Sequence, residues 1–334
     1  MLDRRKFLKH AAGAAIVLSA ESRFGTAALM AQAAGPAKTK VIVARDATLH
    51  DAGSSPTESR VLALLDKAIF AATGRRDPVQ AWRFIGYPHI YKNRVIGIKV
   101  DGSSGRGIAT HSALVRAICE RLQQAGVSPG NIVIWDSNAH NLEACGLKIN
   151  TDHKSIRCFG SDVAGYEDHD DTWGSVRVRL SRILTRECAL VINVPILKDH
   201  NKAGVAFSMM SLCSAADRPV PLTNNGDPAV ADFNCIPAVR DKTSITIGDA
   251  LSSLNDGGPA VHPNRLWYPN AIIVGDDRVA VDHTAWQMLD RKRLSAGLPT
   301  LQAAGRAPRY IHTAADTVHN LGTDDPKRIN VVEV

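Results

Sequence analysis

The stretch Ala189–Val205 reads ALVINVPILKDHNKAGV. Its first nine residues are apolar apart from Asn193, and the run then meets Lys198, Asp199 and His200 ahead of Gly204. A continuous apolar run of this kind fits a strand of a parallel sheet, because helices cover both of its faces and remove the usual polar alternation. Such strands present ligand-binding groups at their carboxyl ends. Alternate residues of an extended chain point the same way, so Lys198 and His200 converge on one side while Asp199 faces the other.

The same alternation of strand and helix extends outward. Lys40–Asp46 (KVIVARD) reads as a first strand, and Glu58–Ala72 has helical spacing through Val61, Leu62, Leu64, Leu65 and Ile69. A stretch with Trp82, Tyr87 and Tyr91 shows no regular period. A βαβ unit follows: strand Val95–Val100, the loop DGSSGRGIAT, a helix with Thr110 as its N-cap and Gly126 as its stop, and strand Asn131–Asp136. Residues 137–186 form a polar excursion containing EDHDD, a run of acids read as solvated. Beyond Lys198 come a helix at Ala229–Arg240, strands at Ser244–Ala250 and Asn270–Asp277, the helix VAVDHTAWQML and a last short strand, INVVEV. The expected fold class is α/β: a mainly parallel sheet with helices on both faces, in one lobe or two. Residues 38–334 form one domain with its core at about 95–289, after a linker at 34–37.

The N-terminus has another purpose. Arg4 and Arg5 precede Lys6 and Phe7, an apolar stretch runs from Ala11 to Ala20, and Ala31-Gln32-Ala33 is a small-x-small cleavage site. Residues 1–33 therefore resemble a twin-arginine export signal, which implies the twin-arginine translocase as a partner and a periplasmic mature protein cleaved after Ala33. The apolar stretch is too short for a stable membrane span. The 334-residue chain has a formal charge of +7. Cleavage would remove Arg4, Arg5, Lys6, Lys9 and Arg23 with Asp3 and Glu21, leaving +4 and no basic footprint for nucleic acid. The six cysteines lie far apart with no CxxC, so an iron–sulfur cluster is not expected, and their disulfide pairing stays open.

Chemistry is expected where strands end. Lys198 and His200 are the candidate catalytic pair. Acids close three other strands: Asp136, Asp249, and Asp276 with Asp277. His200, Asp249 and Asp277 make a candidate oxygen/nitrogen set for a divalent metal. The loop with Gly105, Arg106 and Gly107, leading to Thr110 and His111, can hold an anionic cofactor or ligand on backbone amides.

Taken together these motifs resemble the family of domains of unknown function numbered 362. Its members carry an IKVN strand, a Thr-His before a helix ending in Ala-Gly, an INVPKLKTH core, an Asp strand end, a GGP loop and a D-x-VAVD helix. The corresponding stretches are IKVD (Ile98–Asp101), Thr110-His111 with Ala125-Gly126, INVPILKDH with Gly204, Asp249, Gly257-Gly258-Pro259 and DDRVAVD (Asp276–Asp282). The likeness spans about Val95 to Leu289. Family members often have Lys-Asn where this chain has Met209-Met210-Ser211, and many carry ferredoxin-type clusters that these cysteines do not match. The resemblance names no reaction. Two readings fit the residues: a metal- or cofactor-dependent enzyme acting on a small anionic substrate through a Lys/His/Asp crevice, and a periplasmic small-molecule binding protein without turnover.

Overall fold

A computed structural model of the protein describes residues 38–50 and 56–334. The expected export signal lies outside the described residues.

The first strand, β1 (Thr39–Arg45), is followed by helix α1 (Glu58–Thr73), which ends on Gly74 in the left-handed conformation. The irregular stretch around Trp82 is a helix, α2 (Pro78–Gly86), capped by the Asp77 side chain on the Gln80 amide. Asp-Pro at a helix start is the local signal for it. The βαβ unit is β2 (Ile96–Val100), α3 (Ser112–Gln124) and β3 (Ile132–Trp135). The polar excursion contains α4 (Ala139–Ala144), β4 (Arg157–Cys158), α5 (Ser161–Ala164) and the hairpin β5 (Asp171–Trp173) and β6 (Val176–Val178).

The opening stretch forms two strands, β7 (Leu190–Val194) and β8 (Ile196–His200). Pro195 divides them because it has no N–H for a sheet ladder; its carbonyl still accepts from the Asp249 amide at 2.8 Å. The chain continues through β9 (Gly204–Ala206), α6 (Ser208–Leu212), α7 (Ala229–Cys235) and α8 (Pro237–Lys242). The one helix expected over 229–240 is thus two, parted at Ile236 before Pro237. Then come β10 (Thr243–Leu254), β11 (Leu266–Trp267), β12 (Ala271–Gly275), α9 (Arg278–Ser295), α10 (Tyr310–Ala315) and β13 (Ile329–Glu333).

The main sheet runs β13-β1-β12-β10-β7-β2-β3-β4. All neighbours on this path are parallel except β12, which is antiparallel to both β1 and β10. The mainly parallel α/β fold is therefore as expected, with helices on both faces. One face packs Ile42, Ile98, Ile192, Ile247 and Ile272 against Leu65 and Ile69 of α1, Trp82 of α2 and Val115, Ile118 and Leu122 of α3. The other sets Val41, Val43 and Ile273 against Val281, Ala285 and Leu289 of α9, and Val133 and Val191 against Phe233 and Val239 of α7 and α8. Full burial of each such aliphatic side chain contributes about 1.5–3 kcal/mol. Cys119 lies in the first of these layers, its thiol pushed up to about 12 by burial, as its place among apolar helix residues predicts. All six cysteines are free.

Strand direction decides which strand ends meet. β1, β10, β7, β2 and β3 run one way and deliver their carboxyl ends to one edge, while β12 runs the other way. Asp277, which follows β12, is therefore at the opposite edge from Asp136 and Asp249. It caps α9 instead. Its Oδ1 accepts from the amides of Val279 at 3.0 Å and Ala280 at 2.9 Å, and its Oδ2 from Thr323 at 3.0 Å. Burial raises the Asp277 carboxyl to about 6 against these amide bonds. Asp277→Ala should lower unfolding free energy by about 1–2 kcal/mol, the range for a lost N-cap. Denaturant melts measure this, and an unchanged midpoint would contradict the capping role.

Candidate functional site

A carboxylate removed from water needs a cation or several N–H donors to stay ionised. The carboxyl edge of the sheet holds three such groups, two beside a lysine and one beside a histidine. Asp136, after β3, accepts from the Lys99 ammonium at 2.8 Å through Oδ1 and from the Gly102 amide at 3.0 Å through Oδ2. Lys99 is fully buried, reaches the Val100 carbonyl at 2.6 Å and lies 5.5 Å from the Trp135 ring centre. Gly102 has no side-chain alternative here, because a Cβ would lie 1.9 Å from the Asn141 carbonyl oxygen.

The second pair joins Lys198 of β8 to Asp101 after β2, 3.0 Å apart. Ser103 completes it, donating to Asp101 Oδ1 at 2.6 Å while its hydroxyl accepts from Lys198 at 3.2 Å. Burial alone would raise Asp101; Lys198 and Lys99 outweigh it and hold the carboxyl at about 2. Thr110 fastens the strand ends: its hydroxyl donates to the Val194 carbonyl at 2.8 Å and accepts from the Asp101 amide at 2.9 Å. It is not the helix cap expected of it; the cap position of α3 is His111, without a side-chain cap bond.

The third pair is His111 and Asp249. The imidazole Nδ1 and the backbone amide of His111 lie 2.8 Å and 2.7 Å from Asp249 Oδ2. An ionised carboxylate only accepts, so Nδ1 carries the proton and Nε2 presents its lone pair. Burial disfavours the imidazolium, but the Asp249 charge and hydrogen bond prevail and the His111 pKa is raised. Asp249 is fully buried, whereas the His111 side chain is 26 % exposed, so this pair alone joins a buried charge to an open surface among the three.

That surface is a groove of about 430 Å³ lined by Thr57, Glu58, His111, Ser112, Arg116 and Leu251, among others. The N-termini of α1 and α3 both open on it. The first amides of a helix have no intrahelical acceptor, and α3 has neither a capping side chain nor an acid in its first turn. Ser112 and Ala113 therefore offer N–H groups and the positive end of a 13-residue helix to an anion. Arg116, one turn on, pairs with Glu58 of α1 at 2.7 Å and remains half-exposed. On the far side His50 lies 6.5 Å from the His111 ring and 4.6 Å from that of Tyr268, with its Nδ1 2.5 Å from Asn270 Oδ1. His50 and Tyr268 have no signal in the local sequence; they reach the edge through the topology of β1 and β12.

The other expected site residues take different places. Lys198 and His200 do lie on one face, close enough that the lysine charge acts on the histidine. His200 Nδ1 accepts from the amides of Lys202 and Ala203, each at 3.2 Å, and burial followed by Lys198 lowers the imidazole to about 4. Its lone pair is thus engaged by backbone, and Lys198 is engaged by Asp101. Gly105 and Gly107 adopt positive φ of 78° and 100°, and the loop turns onto itself through Gly105 N to Gly102 O and Ile108 N to Gly105 O. Arg106 is exposed. The turn thus engages the amide of Gly105, while the groove opens on the first amides of α3. The metal set is corrected too: Asp249 turns to His111, His200 to backbone amides and Asp277 to the opposite edge. Among the described residues no group of three or more His, Cys, Asp or Glu could hold a metal ion.

Asp199 faces away from Lys198, as alternation requires. It accepts from Arg306 at 2.9 Å and 3.0 Å, from Arg293 at 3.4 Å and from the Gly258 amide at 3.0 Å. EDHDD is not wholly solvated: Asp168 pairs with Arg182 at the surface, whereas Glu167 is buried and pairs with Arg186, and neither joins the site. A second cavity of about 360 Å³ is lined by Trp286, Arg309 and His312 and by none of the expected site residues.

The family model described as Domain of unknown function (DUF362) matches residues 96–287, more than half of the chain, and the chain belongs to this family. No curated protein matches it. Among solved structures, a structural-genomics target from Thermotoga maritima is similar, at 10% identity and a TM-score of 0.41, over 73% of this chain. This chain spans 60% of that protein's length. No helix among the described residues is long and apolar enough to cross a membrane.

Two outcomes follow from the ion pairs. Asp249→Asn should drop the His111 pKa below its parent value, since burial then acts alone, and an NMR titration of the imidazole reads this directly. In the parent, stability from the pair is complete below the ordinary histidine value of about 6.5 and is lost as pH rises through the raised value. An unchanged titration in the variant would contradict the pairing. Lys198→Ala, which strands Asp101, should cost about 3–5 kcal/mol in a denaturant melt, with partial recovery on adding Asp101→Asn; equal stability of parent and single variant would contradict a buried pair.

Proposed function

We propose that this DUF362 member is an exported enzyme that performs acid–base chemistry on a small anionic substrate in the His111 groove. The observation that carries the reading is a histidine with one nitrogen held by a buried carboxylate, beside the uncapped N-terminus of a helix. The carboxylate fixes the tautomer and favours the imidazolium once a proton arrives. The amides of Ser112 and Ala113, with Arg116, supply the positive field that selects an anion. In this reading Lys198, Asp101, Lys99 and Asp136 hold the strand ends in register beneath the groove and do not touch substrate. A binding protein would also use the amides and the arginine, but it has no need of a histidine poised between a carboxylate and the opening.

The export part rests on the Arg4-Arg5 pair, the short apolar stretch and the Ala31-Gln32-Ala33 triplet. The translocase would pass the folded chain, and the mature periplasmic protein would begin after Ala33. Arg4→Lys combined with Arg5→Lys should leave the precursor uncleaved in the cytoplasm, as read on immunoblots of cell fractions; normal export would contradict it.

The activity is tested with a panel of small carboxylates, phosphates and their esters. His111→Gln should lower turnover by about 10²–10⁴-fold, the range for a lost acid–base group, and Arg116→Gln should chiefly raise KM. A His111→Gln protein as active as the parent would overturn the reading.

A further inference from the structure

The second nitrogen of His111 also has a neighbour. Ser252 Oγ lies 3.4 Å from His111 Nε2, and His111 Nδ1 lies 2.8 Å from Asp249 Oδ2. A carboxylate, an imidazole and a hydroxyl are thus linked in series, with Asp249 and Ser252 on one strand, β10, and His111 at the start of α3. The strand can supply both ends because its register shifts between Asp249 and Leu254. Since Nδ1–H donates to the carboxylate, the Nε2 lone pair faces the serine hydroxyl, which is the tautomer that a base needs to take a proton from serine. The spacing is longer than a tight hydrogen bond, as is common for nucleophile and base in the absence of substrate. Ser252 is 5 % exposed, and its chain neighbour Leu251 and its partner His111 both line the groove, so a group bound there lies beside it.

We propose that Ser252 is the nucleophile of this site and that the substrate is a carboxylic ester bearing a second, anionic group. The inference rests on the acid–base role given to His111 above. Ser252 Oγ attacks the carbonyl carbon while its proton passes to His111 Nε2, and the carbonyl π pair moves to oxygen. The amides of Ser112 and Ala113 are the donors available to that oxyanion. Collapse expels the alcohol, which takes the proton from Nε2 and leaves an acyl-Ser252. Water then attacks the acyl carbon, gives its proton to Nε2 and releases the acid as the proton returns to Ser252. No oxidant or reductant enters. Arg116, about one turn along α3, suits the anionic end of the ester.

The full mature protein is treated with an alkyl fluorophosphonate and mapped by peptide mass, and hydrolysis of p-nitrophenyl acetate and p-nitrophenyl hemisuccinate is followed in parallel. An adduct is expected on Ser252, with hemisuccinate preferred to acetate. Ser252→Ala should lose the adduct and at least about 100-fold of the hydrolysis. Ser252→Cys guards against a folding defect: its thiol should be alkylated by iodoacetamide at a rate that falls when His111→Gln is added. No adduct on the parent, an adduct elsewhere, or full hydrolysis by Ser252→Ala would overturn the nucleophile. If Ser252→Ala keeps hydrolysis while His111→Gln loses it, the nucleophile falls and the acid–base reading stands. If both variants keep it, both readings fall.

Discussion

Charges shut away from water organise this protein. Asp136, Asp101 and Asp249 are buried at one edge of the sheet, and each must be met by a partner that is itself held in place. Lys99, Lys198 and His111 supply the partners from β2, β8 and the start of α3. Removing either member of such a pair leaves an uncompensated charge, which is why the ends of these strands are tied to one another more firmly than apolar packing alone would tie them. Thr110 adds a neutral stitch between β2 and β7 at the same level. On the opposite face of β8, Asp199 meets the same requirement with Arg293, Arg306 and the Gly258 amide.

The three pairs at the edge differ in what surrounds them. Lys99 with Asp136 and Lys198 with Asp101 are almost wholly buried, no side chain of the four being more than 8 % exposed. His111 with Asp249 is closed on one side only. Its imidazole can exchange a proton with whatever occupies the groove while the carboxylate stays dry. In the function proposed above, this difference in exposure, rather than the identity of the residues, separates a structural ion pair from a reactive one.

Much of the architecture is legible in local sequence. Continuous apolar runs mark the parallel strands, the loop-to-helix step after Asp101 marks the βαβ unit, and the i, i+2 spacing of Lys198 and His200 places both on one face with Asp199 on the other. What the sequence does not carry is strand direction and long-range pairing. Nothing in AIIVG says that β12 runs against its neighbours, so Asp277 looks like another member of the site when it caps α9 at the other edge. Lys99 has no local signal because it sits inside an apolar strand, where only its distant partner Asp136 explains its burial. His111 and Asp249 are 138 positions apart, and their meeting depends on the order of strands across the sheet. The apolar run across Pro195 reads as one strand, yet it forms both β7 and β8, and the shift of β8 along β10 has no local signal either.

In the function proposed above, the groove at the start of α3 is where an anion meets the molecule. The most direct test is an NMR titration of the mature protein with inorganic phosphate and, separately, with succinate, following the backbone amides and the histidine side chains. This placement predicts saturable shifts at the Ser112 and Ala113 amides and at the His111 imidazole, with the Lys198 and His200 region unmoved. Shifts centred on Lys198, His200 and the Gly105–Gly107 loop, with α3 silent, would contradict it.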